Sequence, residues 1–353
     1  MIDCQVTCDS CRLLTHNDRW RVQLHTIDQS LARLQPEWDR LAPQSDTNSF
    51  FTQNSWQQLW WQHFGHAYSL RVVTVRDPSG KLVGIAPLMV ALNDTEGTLS
   101  FIGGTEVADY LDLIVDRTYT AEVRRALLET IRDHLPWRRL DLHCLPGDSG
   151  TVASVQEAYR ASGMHIAQEQ EDVCPVVPLP GSWEAYLSSL NKKDRHELRR
   201  KMRRALDDLP ATWHTVQNEA GLESQMTAFI ELHRRSSPAK AAFMTDAMAA
   251  YFRDLASLCF AQGQLRLGVL WAGELSVSTA MGFAYGEKLY LYNSGYDPAY
   301  AANSVGIAAV GLLLRDAADA GLTVFDFLQG NEPYKYMLGA QDHPVYRLVV
   351  TRS

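Results

Sequence analysis

Two widely separated stretches of this chain follow the same order of local structure, and that repetition constrains the fold more than any single motif. Leu70–Leu88 reads as an apolar strand, a turn at Pro78-Ser79-Gly80, a charged Lys81 and a second apolar strand. Leu265–Met281 does the same around Ala272-Gly273-Glu274. A glycine turn between two such runs is a hairpin signal. A third strand follows each hairpin, at Thr98–Ile102 and Lys288–Asn293. A loop carrying Gly, Asp and Tyr comes next, from Gly104 to Tyr110 in one half and from Gly295 to Tyr300 in the other. Then comes a helix. Thr120–Leu135 puts Val123, Ala126, Leu127, Ile131 and Leu135 on one face, whereas Ser304–Ala320 is apolar almost all round and reads as buried. Each helix leads to a strand with an aspartate and a glycine break, Leu140–Gly147 and Phe325–Gly330.

A helix joining a strand to a later one implies a parallel pair beside an antiparallel hairpin, and hence a mixed sheet. The expected fold class is α/β (an α+β mixed sheet) in two tandem domains. The boundary falls near Val173–Gly181, where Pro175, Pro178, Pro180 and Gly181 cluster. The expected division is a disordered terminus over 1–20, a first domain over 21–175 and a second over 181–353. A length of 353 residues suits two domains.

The net charge of −8 removes any global attraction to nucleic acid or to an anionic membrane, so a local basic patch gains meaning. The longest apolar runs, Leu82–Leu92 and Val305–Leu314, are too short to span a bilayer, and Asp3, Cys4 and Asp9 stand where a secretory leader would need apolar residues. These features predict a soluble, cytoplasmic protein with no membrane partner. Cys4, Cys8 and Cys11 have the C-x3-C-x2-C spacing of an iron–sulfur triplet. No run of βα repeats follows them, and Ser10 stands where an aromatic residue is usual, so the expectation is an unstructured terminus and no metal.

Against the acidic whole, Lys192–Arg204 is nearly all of one sign. On a helix, Lys192, Arg195, His196, Arg199 and Arg203 share a face, and Leu198, Met202, Ala205 and Leu206 form an apolar seam beside it. Such a ridge suits phosphate oxygens, although a solvated helix face has the same pattern. The run Phe325–Gly339 sets Lys335 between Tyr334 and Tyr336 just after a strand end, where a rigid element can position reactive groups.

The order of elements resembles the GNAT acyltransferase fold, present twice. The second half resembles in particular the CelD-like GNAT acetyltransferases and, more remotely, the Fem-type aminoacyl transferases. The residues that carry the resemblance are Leu190–Arg204, Tyr296–Tyr300 and Phe325–Lys335. It implies acyl transfer from an activated donor, acyl-coenzyme A as co-substrate, to an amine acceptor held between the halves, such as an amino sugar or amino acid. In this fold the coenzyme pyrophosphate sits on the N–H groups that open a helix. The corresponding residues are Asn303, Ser304, Val305 and Gly306, with Asn303 or Ser304 as N-cap, Gly306 allowing close approach, and Arg199 and Arg203 in support. The family's Gln/Arg-x-x-Gly-x-Gly/Ala loop is absent from this segment.

The resemblance places the chemistry where the third and fourth strands splay. Lys335 is the candidate cation for the oxyanion, with Tyr292 and Asn293 as further catalytic candidates. Candidate substrate-binding residues are Asp109, Tyr110, Tyr296, Tyr334, Asn331, Glu332 and Arg195. The first half has no lysine after Asp141 and reads as a degenerate copy. One alternative keeps the fold and takes aminoacyl-tRNA through the 192–204 helix; another is a small-molecule-binding protein without catalysis.

Overall fold

The computed structural model describes residues 11–160 and 162–352. The chain divides into two compact units, 1–172 with 344–353, and 173–343.

In the first unit, β1 (Cys11–His16) pairs antiparallel with β2 (Arg21–His25), and β2 with β3 (Tyr68–Arg76). Residues 11–16 are therefore ordered, unlike the expected disordered terminus, because their backbone groups extend the sheet edge. Cys4 and Cys8 lie outside the described residues. Helices α1 (Gln29–Leu41) and α2 (Asn54–Phe64) follow, and Trp56, Trp60 and Trp61 of α2 are buried. The expected hairpin is β3 with β4 (Leu82–Ala91), turning through Gly80 at φ 89°. β5 (Thr98–Phe101) and the short β6 (Ile114–Val115) both pair with β4. α3 (Thr120–His134) crosses back to β7 (Arg139–Pro146), which runs parallel to β5. α4 (Gly150–Arg160) leads to the long β8 (His165–Pro178).

The second unit repeats the plan. α5 (Trp183–Ser189) and α6 (Lys192–Arg203) open it; Asn191 starts α6 by accepting the Asp194 N–H at 3.0 Å. After β9 (Thr212–Thr215) come α7 (Glu219–Ser236), α8 (Pro238–Phe243) and α9 (Asp246–Ala261). β10 (Leu265–Ala272), β11 (Leu275–Tyr285) and β12 (Lys288–Tyr296) form an antiparallel meander. α10 (Val305–Asp319) crosses to β13 (Val324–Asp326), parallel to β12, and β13 also pairs antiparallel with Val176–Pro178 of β8. α11 (Pro333–Met337) and β14 (Gln341–Thr351) end the described chain.

The mixed sheet expected from the hairpin–helix order is present in each half. The domain limits differ from expectation at the C-terminus. Residues 344–353 belong to the first unit, because β14 pairs antiparallel with β7 from Val345–Pro146 to Thr351–Arg139.

In the second unit α10 and α6 share one core with Leu270, Leu289 and Leu291, while Ala228 and Leu232 of α7 pack with Val269. Successive strand residues point to opposite faces, so α10 with α6 covers one face and α7, on which α8 and α9 pack, covers the other. Gly311 of α10 lets α6 approach: a Cβ there would lie 3.3 Å from Leu198 Cδ1.

Candidate active site

The site begins with a break in strand register. Met281 of β11 faces Asn293, but its neighbour Gly282 faces Leu291, so Tyr292 is an extra residue in β12. Such a bulge bends its strand and re-aims its side chains. Tyr292 packs on Phe252 of α9 and Phe283, with ring centroids 5.3 Å and 5.1 Å away, while Asn293 hydrogen-bonds His233 of α7. Both side chains of the bulge therefore face the α7 side. Gly282 is required here, since a Cβ would come within 2.6 Å of the Tyr290 carbonyl oxygen. β12 pairs with β13 only from Lys288–Val324 to Tyr290–Asp326, and the two strands part beyond that point.

The loop after β13 is locked from within. Asp326 accepts the Leu328 N–H at 2.9 Å and holds Leu328 in the left-handed region at φ 57°. Pro333 starts α11, whose first turn carries Lys335. The Lys335 Nζ donates to the carbonyls of Leu328, Gln329 and Gly330 at 3.2, 2.9 and 2.8 Å and lies 2.9 Å from Glu332 Oε2. The residue is only 2% exposed. The expectation of an ammonium aimed at a reacting carbonyl is corrected by this geometry: three carbonyls and one carboxylate already take up its donor capacity. Lys335 is a clamp on the loop at the cavity wall.

At the start of α10, Ser304 occupies the cap position with φ 59° and ψ 29°, and its side chain makes no cap hydrogen bond. The expectation of an Asn303 or Ser304 side-chain cap is not met. Asn303 ends a short turn over Pro298–Asn303. Ser304 instead adopts the left-handed conformation that a glycine would supply at the first position of a Gly-x-Gly turn. Gly306 serves packing: a Cβ would press on the Tyr296 ring at 3.1 Å.

These elements enclose a cavity of ≈ 530 Å³ within the second unit. It gathers Tyr292, Asn293, Tyr296, Ser304, Val305, Gly306, Glu332, Tyr334 and Lys335, all singled out from the sequence. Asn303 and Asn331 do not line it, and Asn331 is exposed. Arg199 and Arg203 are exposed and Arg195 half-buried, none of them on the cavity. Leu198 and Met202 turn α6 into the core, which carries Lys201 instead to the wall. Asp109 and Tyr110 belong to the first unit, where Tyr110 packs 6.4 Å from Phe51 as a core residue.

Sequence reasoning missed Lys240, Phe327 and Gln329 on the wall, and His233 behind it. Lys240 follows a legible helix start, the Ser237 cap with Pro238, but nothing around it marks an inward-facing cation. Its Nζ donates to the Ser294 carbonyl. Burial pushes its ammonium downward, and the Glu332 charge pushes back. Burial, aided by the Lys240 charge, lowers His233 to about 4, so the ring is neutral at pH 7. Asn293 Oδ1 accepts the Ser294 N–H at 2.9 Å, which leaves the amide NH2 as its donor. Burial raises the Tyr334 hydroxyl far above the ordinary tyrosine range, so it stays protonated.

Among the described residues no helix is long and apolar enough to cross a membrane, and no cluster of metal-ligating side chains occurs.

Residues 192–336 match the family described as "Acetyltransferase (GNAT) domain". No curated protein matches the sequence. Among solved structures the fold is similar to FemX, at 13% identity over 92% of this chain and 96% of that one, with a TM-score of 0.65. It is also similar to a conserved protein of unknown function from Bacteroides thetaiotaomicron, at 10% identity over 93% and 100% with a TM-score of 0.60. A third is L-PGS from Bacillus licheniformis, at 10% over 90% and 91% with a TM-score of 0.53. At these identities the likeness is one of fold. The family match takes in every residue lining the cavity, so the second unit is similar to a GNAT acetyltransferase domain where that cavity is built.

Proposed function

We propose that the cavity of the second unit moves an acyl group from acyl-coenzyme A to an amine. The observation that carries this reading is the opening of α10 on the cavity wall without a side-chain cap. Free N–H groups and the helix dipole suit the donor's pyrophosphate, and Lys201 adds a cation. Leu291, Val305, Ile307 and Val310 supply an apolar wall for the thioester arm.

The acceptor nitrogen attacks the thioester carbonyl as the C–N bond forms and the C–S bond breaks. Glu332 is the single carboxylate among the described residues lining the cavity, and it takes the proton that the amine loses. The leaving thiolate takes a proton from Tyr334 or from water. The Asn293 amide donates to the developing oxyanion, and Tyr292, fixed by Phe252 and Phe283, shapes the acceptor side. Lys335 keeps the Leu328–Glu332 loop in place for this step. The test is thiol release from acetyl-coenzyme A with a panel of amines. Glu332→Gln should cut kcat at least ~tenfold with little change in KM for the donor; an unchanged kcat would remove Glu332 as the base.

A second reading is favoured by one observation. Lys192, Lys193, His196, Arg199, Arg203 and Arg204 are not on the cavity wall, and Arg199, Arg203 and Arg204 are exposed, so α6 and the residue after it present a cationic ridge. A donor attached to tRNA would use it. Binding to charged tRNA should then weaken steeply with salt, and Arg199→Ala with Arg203→Ala should reduce the slope by about two. Any measured acyl transfer would dispose of a purely binding role.

A further inference from the structure

Resting on the acyl-transfer reading, we infer that the acceptor carries an anionic group beside its amine, a carboxylate or a phosphate, and that Lys240 is the residue that selects for it.

The charges on the cavity wall do not balance. Among the described residues it holds three lysines, Lys201, Lys240 and Lys335, against the one carboxylate of Glu332. Glu332 is matched to Lys335 at 2.9 Å, and Lys201 to Glu197 outside the cavity at 3.4 Å. Lys240 has the Ser294 carbonyl, a neutral partner, and sits in a site where burial disfavours its charge more than the charge of Glu332, itself paired with Lys335, restores it. A half-buried ammonium with neutral support gains most from an anion brought by a ligand.

The two faces of the sheet then separate the substrates. The α10 start and Lys201 of α6 lie on one face and suit the donor. Lys240 comes from α8, packed on α7 at the other face, and reaches the wall at Ser294, next to Asn293 of the bulge. Its charge is therefore set on the acceptor side of the reacting centre. The neighbouring His233 is neutral and adds no competing cation, and Arg234 and Arg235 of α7 are engaged with Asp246 at 2.8 Å and Asp297 at 3.3 Å. An amine alone would be repelled by this lysine; an amine carrying a carboxylate or phosphate would be oriented by it, with Glu332 left to receive the amine proton.

The experiment measures thermal stabilisation by N-acylated products, with no donor present. N-acetylglycine is compared with N-acetylglycinamide, and N-acetylglucosamine 6-phosphate with N-acetylglucosamine, each titrated to about 10 mM on the wild type, Lys240→Met, Lys240→Arg and Ser304→Asp. The expected result is a saturable rise in melting temperature with at least one anionic compound, and a roughly tenfold weaker effect of its neutral counterpart. The responding pair identifies the source of the anion. The preference should vanish in Lys240→Met and persist in Lys240→Arg and Ser304→Asp. Equal response to charged and neutral members, no response to either anion, or a preference that survives Lys240→Met would overturn the inference. If the anion preference holds but no acyl-coenzyme A supports turnover, the acyl-transfer reading fails alone; turnover without the preference removes only the role of Lys240.

Discussion

The two units treat the end of the same strand in opposite ways. In the first, Asp141 of β7 receives Arg347 through two bonds of 2.8 Å, Arg139 at 2.9 Å and His143 at 3.0 Å. His143 continues to Glu171 at 2.6 Å, and Glu169 takes Arg347 at 3.1 Å. The β4–β5 register there runs without a shift. In the second unit Asp326 accepts the N–H of its own turn, β12 is bulged at Tyr292, and a cavity follows. The contrast teaches that the repeated scaffold is neutral with respect to function. One extra residue in a strand and one lysine-clamped loop border the cavity of the second unit, and a set of ion pairs gathers on the equivalent strand of the first.

The comparison can be broken most forcefully at Lys335. Lys335→Met leaves three carbonyls and Glu332 without their cation and should cost about 3–5 kcal/mol, with loss of acyl transfer. Chemical denaturation and thiol release read the two effects, and a stable, active variant would show that the clamp is dispensable. A smaller loss is expected from Asp141→Asn in the first unit, about 2–3 kcal/mol, because two arginines and His143 lose their shared carboxylate. Affinity for acetyl-coenzyme A should not change, and a shift beyond about twofold would give the first unit a part in donor binding.

His143 supplies a pH signature. Its carboxylate partners outweigh burial and raise its pKa from 6.5 to about 9. The stability it confers is fully present below about pH 6.5 and is lost as pH rises through about 9. His143→Gln should flatten the melting temperature across that window, and a slope unaltered by the substitution would assign the loss elsewhere. The smallest effect is expected at Ser304, where glycine removes the strain of a left-handed residue; Ser304→Gly should add about 1 kcal/mol.

The parts legible in the sequence are those written locally. Hairpins at Gly80 and Gly273 and the apolar α10 rest on neighbouring residues, and so were readable. The bulge at Tyr292 depends on the register of β12 against β11, and Gly282 was its sole local trace. The return of 344–353 to the first unit depends on pairing with β7, far away in sequence. Lys335 was visible, but its direction is set by the left-handed Leu328, which turns three carbonyls toward it. The apolar seam of α6 at Leu198 and Met202 was legible and does meet the core, but which basic residue it leaves at the cavity depends on the packing against α10, and that residue is Lys201 rather than Arg199 or Arg203.

A single donor site, at the start of α10, is central to this picture of the chain. Calorimetric titration with acetyl-coenzyme A of the wild type and Ser304→Asp tests it most directly. An aspartate there accepts the left-handed backbone and favours the helix dipole, so the fold should hold or gain stability while the added charge repels phosphate. One site per chain is expected, weakened roughly tenfold or more by Ser304→Asp. Two sites, no binding, or an affinity untouched by the substitution would contradict it.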